Sequence, residues 1–405
     1  MKKLLATGLL LAFVLVSCSR ETPSPTSTTL LEVSPIPPTA SPVPLTETSQ
    51  PTITPTTGPT ATSAPTGYGP DNFPPDVNPI TGLKVADVKL LERRPIGIKI
   101  NIVPRETRPP WGLSFADIVY EYYHNDGYAR YHALFYGQDA ELAGPIRSAR
   151  LPDEYIIRMY KNLFVYGGAD SKIENRFYST EFADRLIREG ETIPCPPSPA
   201  VPLCRVEPEG YNYLLGGTSE ISQYATSKKI SNDRQNLNGM TFNTILPAGG
   251  KPASELYVRY SSDHYSQWKY DSASGKYLLF QDNVWDQGQG EQYAPLLDRV
   301  TNQQLGADNV VVVIVPHEYF TPPPAEIVNI LLSGSGKAYA YRDGQVSEVT
   351  WNVPAVDSVL YLTLPDGTPY AFKPGNTWIH LVSLSTEIVP QADGSLRFNM
   401  NARLP

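Results

Sequence analysis

The sequence predicts an α+β fold: a mixed α/β region over 73–236 carrying a tyrosine-rich hairpin, then a mainly antiparallel β region over 237–405. Three observations lead there. Runs of β-branched and aromatic residues flank Asn125-Asp126-Gly127. Helix signals alternate with short apolar runs between Pro152 and Lys228. Beyond Leu237, short strand-like runs recur between turn dipeptides.

Asn78-Pro79-Ile80-Thr81-Gly82-Leu83 opens the ordered region. Pro95 to Ile102 then alternates apolar residues at period two, the pattern of a strand. Asp117 to His124 is a second strand and Tyr128 to Tyr136 a third, and the Asn-Asp-Gly turn between them permits positive φ, so the pair reads as a hairpin. Pro152 suits a first helical position, and Asp153 and Glu154 complement the dipole, predicting a helix to about Lys161. Asn162 to Tyr166 reads as a buried strand ended by Gly167-Gly168. Further helices are predicted over 180–189, 219–228 and 324–332. In the second half, strands are expected over 256–260, 268–270, 277–280, 310–315, 338–341, 359–364 and 377–382. Ser274-Gly275, Asp343-Gly344, Asp366-Gly367 and Asp393-Gly394 mark tight turns. No internal repeat is visible.

The amino terminus sets the compartment. Lys2-Lys3, the apolar run Leu4–Val16 and Ser17-Cys18 read as a signal segment (1–18), too short for an ordinary membrane span, with a cysteine at the cut. Cleavage before Cys18 and its lipidation would tether the chain to the outer face of the cell membrane. Residues 19–72 are rich in threonine, serine and proline, with few charges and no apolar period. They read as an extended stalk.

The 405 residues suffice for two domains of ordinary size, and 25 tyrosines and 12 phenylalanines can build sizeable cores. A net charge of -8 without a basic stripe argues against nucleic acid and anionic membrane surfaces as partners. The expected partners are the membrane, through the lipid, and an envelope glycan or protein. Besides Cys18 there are only Cys195 and Cys204, in a proline-rich stretch without CxxC or a nearby histidine; in an exported chain they read as a disulfide.

Asn78 to Leu83, Arg94-Pro95-Ile96, Ala116-Asp117-Ile118-Val119-Tyr120-Glu121, Gly127 with Arg130, and Gly144-Pro145-Ile146-Arg147-Ser148-Ala149-Arg150 together resemble the YerB-like bacterial lipoproteins. Weaker echoes follow at Gly167-Gly168, Tyr270-Asp271 and Pro374-Gly375 with Thr377-Trp378-Ile379. The resemblance implies an α/β N-terminal domain and a β-rich C-terminal domain, and brings no established activity. The chain departs from it in two places. Cys195 to Tyr213 lacks the Pro-His-Asn cluster expected there, and Leu279 replaces a usual arginine.

The best candidate ligand-binding residues are Arg130, Arg147, Ser148 and Arg150, on the hairpin and on a loop feeding a helix N-terminus, where guanidinium groups could grip a carboxylate or phosphate. Asp117, Glu121, Asp153 and Glu154 are available to pin those arginines instead. That structural role is the expected one, most of all for Arg150. Asp170, after a strand end and two glycines, is a weaker ligand candidate. No catalytic constellation, cofactor motif or metal spacing stands out. Ser148 lacks a nucleophile elbow or a Ser-x-x-Lys motif, and the five histidines show no motif. Asp282, Asp286 and Glu291 do not have EF-hand spacing. Half of Tyr120, Tyr122, Tyr123, Tyr128, Tyr131 and Tyr136 should point outward, where they could stack on sugars, although cross-strand aromatic pairing alone explains such a hairpin. The reading is a non-catalytic envelope protein that binds a ligand or partner. The alternative is an envelope hydrolase or transferase working through an arginine–carboxylate site.

Overall fold

A strand covered on both faces has no wet side on which to alternate, and Asn309-Val310-Val311-Val312-Val313-Ile314 is such a strand, buried at its first five positions. In the computed structural model, which describes residues 67–207 and 213–400, it lies inside an eleven-stranded mixed sheet. The signal segment, Cys18 and the stalk up to residue 66 lie outside the described residues. In chain order the strands are β1 (Ile96–Ile100), β2 (Ile118–Asn125), β3 (Tyr128–Phe135), β4 (Leu163–Tyr166), β5 (Leu186–Arg188), β6 (Lys251–Pro252), β7 (Asn309–Ile314), β8 (Gly334–Arg342), β9 (Gln345–Val353), β10 (Tyr361–Thr363) and β11 (Thr377–Val382). Across the sheet the order is β6-β9-β8-β7-β11-β2-β3-β1-β4-β5, with β10 added to β9. β7, β11 and β2 run parallel, as do β1, β4 and β5; the remaining pairs are antiparallel.

The sheet crosses the boundary expected at 236/237, because β11 pairs with β2 from Thr377↔Ile118 to Leu381↔Tyr122. Order also begins before residue 73, since Gly67–Tyr68 pairs with Thr241–Asn243. A second, seven-stranded sheet is built from Glu255–Arg259, Tyr265–Asp271, Lys276–Asp282, Tyr293–Pro295, Gly306–Ala307, Glu387–Pro390 and Leu396–Asn399. The described residues hold three α-helices: α1 (Asp153–Tyr160), α2 (Ser171–Tyr178) and α3 (Thr218–Ser227). The protein is thus mostly β, with α1 and α3 where they were expected.

Two predicted helices are absent. Over 180–189 the chain forms a short 3-10 turn and then β5, because Leu186-Ile187-Arg188 completes the parallel edge beside β4. Over 324–332 it forms the strand Ile327–Ile330 against His317–Thr321, which suits Ile327, Val328 and Ile330, all stiff at χ1. The tyrosines also differ from expectation. Tyr120, Tyr122, Tyr123, Tyr131 and Tyr136 are all buried, because β2 and β3 sit mid-sheet with both faces covered. No outward stack for sugars exists there. The turn itself is as predicted, with Asp126 at φ 52° and Gly127 at φ 85°. Cys195 and Cys204 form a disulfide with Cα atoms 4.9 Å apart.

The two sheets meet over one buried acid. Glu121 on β2 accepts from Trp378 Nε1 at 2.8 Å and pairs with His264 Nε2 at 2.9 Å, with His380 Nδ1 3.5 Å away. Trp268 donates its Nε1–H to His380 Nε2 at 2.9 Å, so that nitrogen carries no proton and His380 is neutral. Burial pushes the His380 imidazole down to about 4, despite Glu121, and pushes His317 down to about 4 as well. In the unfolded chain both would take up a proton near pH 6.5. Between pH 6.5 and 4 the unfolded state therefore binds protons the native state refuses, and stability falls as pH falls, by about 3 kcal/mol per histidine at pH 4. Asp117 runs the other way: burial raises it to about 6, so it gains stability as pH falls through 6. His124 and His132, also pushed down by burial, add to the loss. The melting temperature should drop from pH 6.5 to pH 4, less so in His317→Gln and more so in Asp117→Asn. Parallel curves for all three proteins would contradict this assignment.

Candidate functional site

The segment after Gly144-Pro145 runs across the carboxyl ends of β1 and β4 and is sewn to both through its backbone. Arg147 N–H donates to Lys99 C=O at 2.9 Å, Gly167 N–H to Arg147 C=O at 3.0 Å, and Ala149 N–H to Gly168 C=O at 2.8 Å. Ligands in open sheets gather at such carboxyl ends. The loop is thus held there by main-chain bonds.

Asp153, the first residue of α1, turns back toward the loop. Its Oδ2 accepts the Arg150 N–H at 2.7 Å, an acid in the first turn capping a donor upstream. Its other oxygen meets Lys99 Nζ at 3.2 Å, His132 Nδ1 at 2.9 Å and the Tyr122 hydroxyl. Lys99, His132 and Asp153 are all fully buried. Burial opposes the ionised carboxyl, but Lys99 and the His132 and Tyr122 hydrogen bonds outweigh it and hold Asp153 well below the usual carboxylate range. Burial brings Lys99 down to about 7, against the pull of Asp153 and helped by Arg130 and Arg150. Gly97 makes the cluster possible: a Cβ there would run into His132 and Asn162.

Among the described residues, the guanidiniums of Arg130 and Arg150 bond main-chain carbonyls and not the carboxylates expected to hold them. Arg150 Nη1 donates to the carbonyls of Ala149 (2.9 Å) and Ser148 (3.3 Å), and Arg130 Nη1 to that of Ser148 (2.8 Å). Asp117 is taken by Asn78 and by the N–H groups of Tyr136 and Gly137. Glu121 serves the sheet–sheet joint, and Glu154 pairs with Arg158 and Arg176 on the helices. Only Asp153 faces the loop, and it meets Arg150 through the main chain. Burial first, then the Arg150 and Arg147 charges, push the Arg130 guanidinium well below its usual value. Arg130 is 7% exposed, and its buried Nε has no hydrogen-bond partner.

Beside this cluster lies a cavity of about 410 Å³ whose lining includes Ser148, Arg150, Asp170 and Glu326. Three of the five predicted ligand residues thus line one cavity, with Arg130 reaching the same loop through Ser148 C=O. Asp170 doubles as the N-cap of α2, accepting the Lys172 N–H at 2.9 Å. Sequence reasoning missed Lys99 and Glu326. A lysine in the middle of an apolar strand was a readable anomaly; Glu326 was hidden within a segment read as helical. Asp282, Asp286 and Glu291 are engaged by Arg105 and Arg108, by Arg259, and by Arg259 and Arg397 respectively.

Comparison with known proteins gives the same answer in both halves. Residues 80–193 match the description "Protein of unknown function (DUF3048) N-terminal domain", and residues 256–379 match the C-terminal domain of the same family. The chain belongs to this family. It is 27% identical over 320 residues to "Putative lipoprotein YerB" of Bacillus subtilis (strain 168), spanning 75% of this chain and 85% of that protein. The crystal structure of YerB protein from Bacillus subtilis superposes with a TM-score of 0.60 at 23% identity, covering 78% of this chain and 98% of that one, which establishes a shared fold.

Stability should separate the two kinds of charged residue. Asp153→Ala leaves Lys99 buried without its counter-ion and should cost about 3–5 kcal/mol. Arg150→Ala loses two hydrogen bonds to carbonyls and keeps its main-chain bond to Asp153, so it should cost no more than about 1–2 kcal/mol. Denaturant titration of both variants tests this, and an Arg150→Ala as damaging as Asp153→Ala would reverse the assignment.

Proposed function

We propose that this chain is a lipid-anchored extracytoplasmic protein that binds a small anionic ligand, without catalysing a reaction, at the arginine loop. The observation that carries the reading is Arg150 on a cavity wall, with the Arg130 guanidinium bonded to the same Ser148 carbonyl, while Asp117, Glu121 and Glu154 are engaged elsewhere. Like charges held together raise the energy of the empty site, and an anion arriving there relieves it. Arg150 and Arg130 already bond the same carbonyl, so their guanidiniums are oriented before the ligand comes, which lowers the ordering cost of binding. A carboxylate or phosphate suits the planar guanidinium fork, and acidic envelope glycans carry such groups.

Added phosphate, sulfate or glucuronate should raise the melting temperature of the wild-type protein by mass action and leave Arg150→Ala unmoved. Equal shifts in both proteins, or none in either, would sink the reading.

The anchoring half rests on the Cys18 junction and on a relative named as a lipoprotein. Cys18→Ser should leave the chain uncleaved or release it to the medium, with no lipid mass at its N-terminus. Wild-type protein that starts elsewhere and carries no lipid would end this half of the proposal.

A further inference from the structure

An anion-binding reading explains Arg150 but not the carboxylates that share its cavity. Asp170 and Glu326 line the same 410 Å³ space, and among the described residues neither forms an ion pair with Arg150 or with any other cation. Each charge is held by a different part of the protein. The Arg150 guanidinium is drawn to the Ser148 and Ala149 carbonyls. Asp170 accepts the Lys172 N–H as the cap of α2. Glu326 accepts the Tyr123 hydroxyl at 3.0–3.1 Å and the Asp126 N–H at 3.3 Å. The result is a cavity lined by both signs of charge, each held by neutral partners.

Glu326 has a second face. It also lines an adjoining cavity of about 450 Å³, together with Tyr123, Tyr319, Asp126 and Asp263. Burial and the nearby Asp126 raise Glu326 above its ordinary value, so a positive charge placed beside it would be favoured. Tyrosine rings next to such an acid add a surface that accepts an ammonium group.

We propose that the ligand is dipolar, with its anionic group at Arg150 and a primary ammonium between Asp170 and Glu326. This is the chemistry of an amino acid or short peptide with free termini. The inference rests on the anion-binding reading and narrows it: a simple anion would leave the two carboxylates of the same cavity without a counter-charge, whereas a dipolar ligand satisfies both signs. The volume admits a dipeptide, and the neighbouring cavity beyond Glu326 gives a longer chain somewhere to continue.

The test is isothermal titration of the full chain with a panel of dipeptides of alanine, glutamate and lysine. Each dipeptide is offered free, N-acetylated, or as its C-terminal amide, with inorganic phosphate as the anion control. At least one free dipeptide should bind at least tenfold tighter than both of its capped forms. Glu326→Gln, which keeps the shape and the Tyr123 contact, should abolish the preference over the N-acetyl form, and Asp170→Asn should weaken it. Arg150→Ala should abolish the preference over the amide. N-acetyl peptides that bind as well as free ones, or phosphate binding without any dipeptide binding, would overturn the dipolar assignment and leave the anion site standing. Binding of neither phosphate nor any dipeptide would remove both.

Discussion

An ionised carboxylate cannot be left bare in a protein interior, and much of this structure follows from how Asp153 is accommodated. Taking such a group out of water costs several kcal/mol even after relaxation, so it must be met by charge and by hydrogen bonds. Lys99 comes from β1, Tyr122 from β2, His132 from β3 and Asp153 itself from α1. One carboxylate therefore clamps a helix to three neighbouring strands. Its fourth bond, to the Arg150 N–H, fixes where the arginine loop joins that helix. The clamp also determines what is left over. With the Asp153 side chain committed to Lys99, the guanidiniums of Arg130 and Arg150 bond main-chain carbonyls among the described residues.

That arrangement separates the charges that hold the fold from those that line the cavity. The charges that hold the fold are buried, paired and satisfied; those beside the cavity are oriented but unneutralised. Pairing Arg150 with Asp153 through side chains would have stabilised the loop equally well and left no field in the cavity. Using the backbone N–H instead keeps the guanidinium positive toward the open space. The same logic applies to Glu326 in that cavity, which is held by a hydroxyl and an N–H and forms no ion pair among the described residues.

Local chemistry was legible in the sequence, and long-range pairing was not. Asn125-Asp126-Gly127 and Asp343-Gly344 turn as their residues require, with positive φ at Asp126, Gly127, Asp343 and Gly344. The acids opening α1, the disulfide and the loop bearing Arg147 to Arg150 were all visible as short-range patterns. Period two placed β1 to β3 but could not say that both of their faces are covered, so the hairpin tyrosines read as half exposed. Leu186-Ile187-Arg188 and Ile327–Ile330 carry no helix-breaking signal of their own; they extend because a strand waits beside each, which no local window contains. The cavity was half visible for the same reason. Its arginine wall is contiguous in sequence, whereas Glu326 reaches it from the far half of the chain.

The family's two domains are recognised as separate stretches, yet their strands share one sheet. β11 is hydrogen-bonded to β7 on one side and to β2 on the other, and all six of its residues are buried. Parting the halves would strip β2 and β11 of a ladder of main-chain bonds and expose the edges of two almost wholly buried strands. It would also strand Glu121, whose indole and imidazole partners, Trp378, His380 and His264, all come from beyond residue 237. A buried acid on one half that is satisfied only by the other makes partial folding costly twice over, in lost hydrogen bonds and in an unmet charge. The cavity inherits that coupling. Arg150 and Asp170 come from the first half and Glu326 from the second, so the cavity has its full lining only when both halves are folded together.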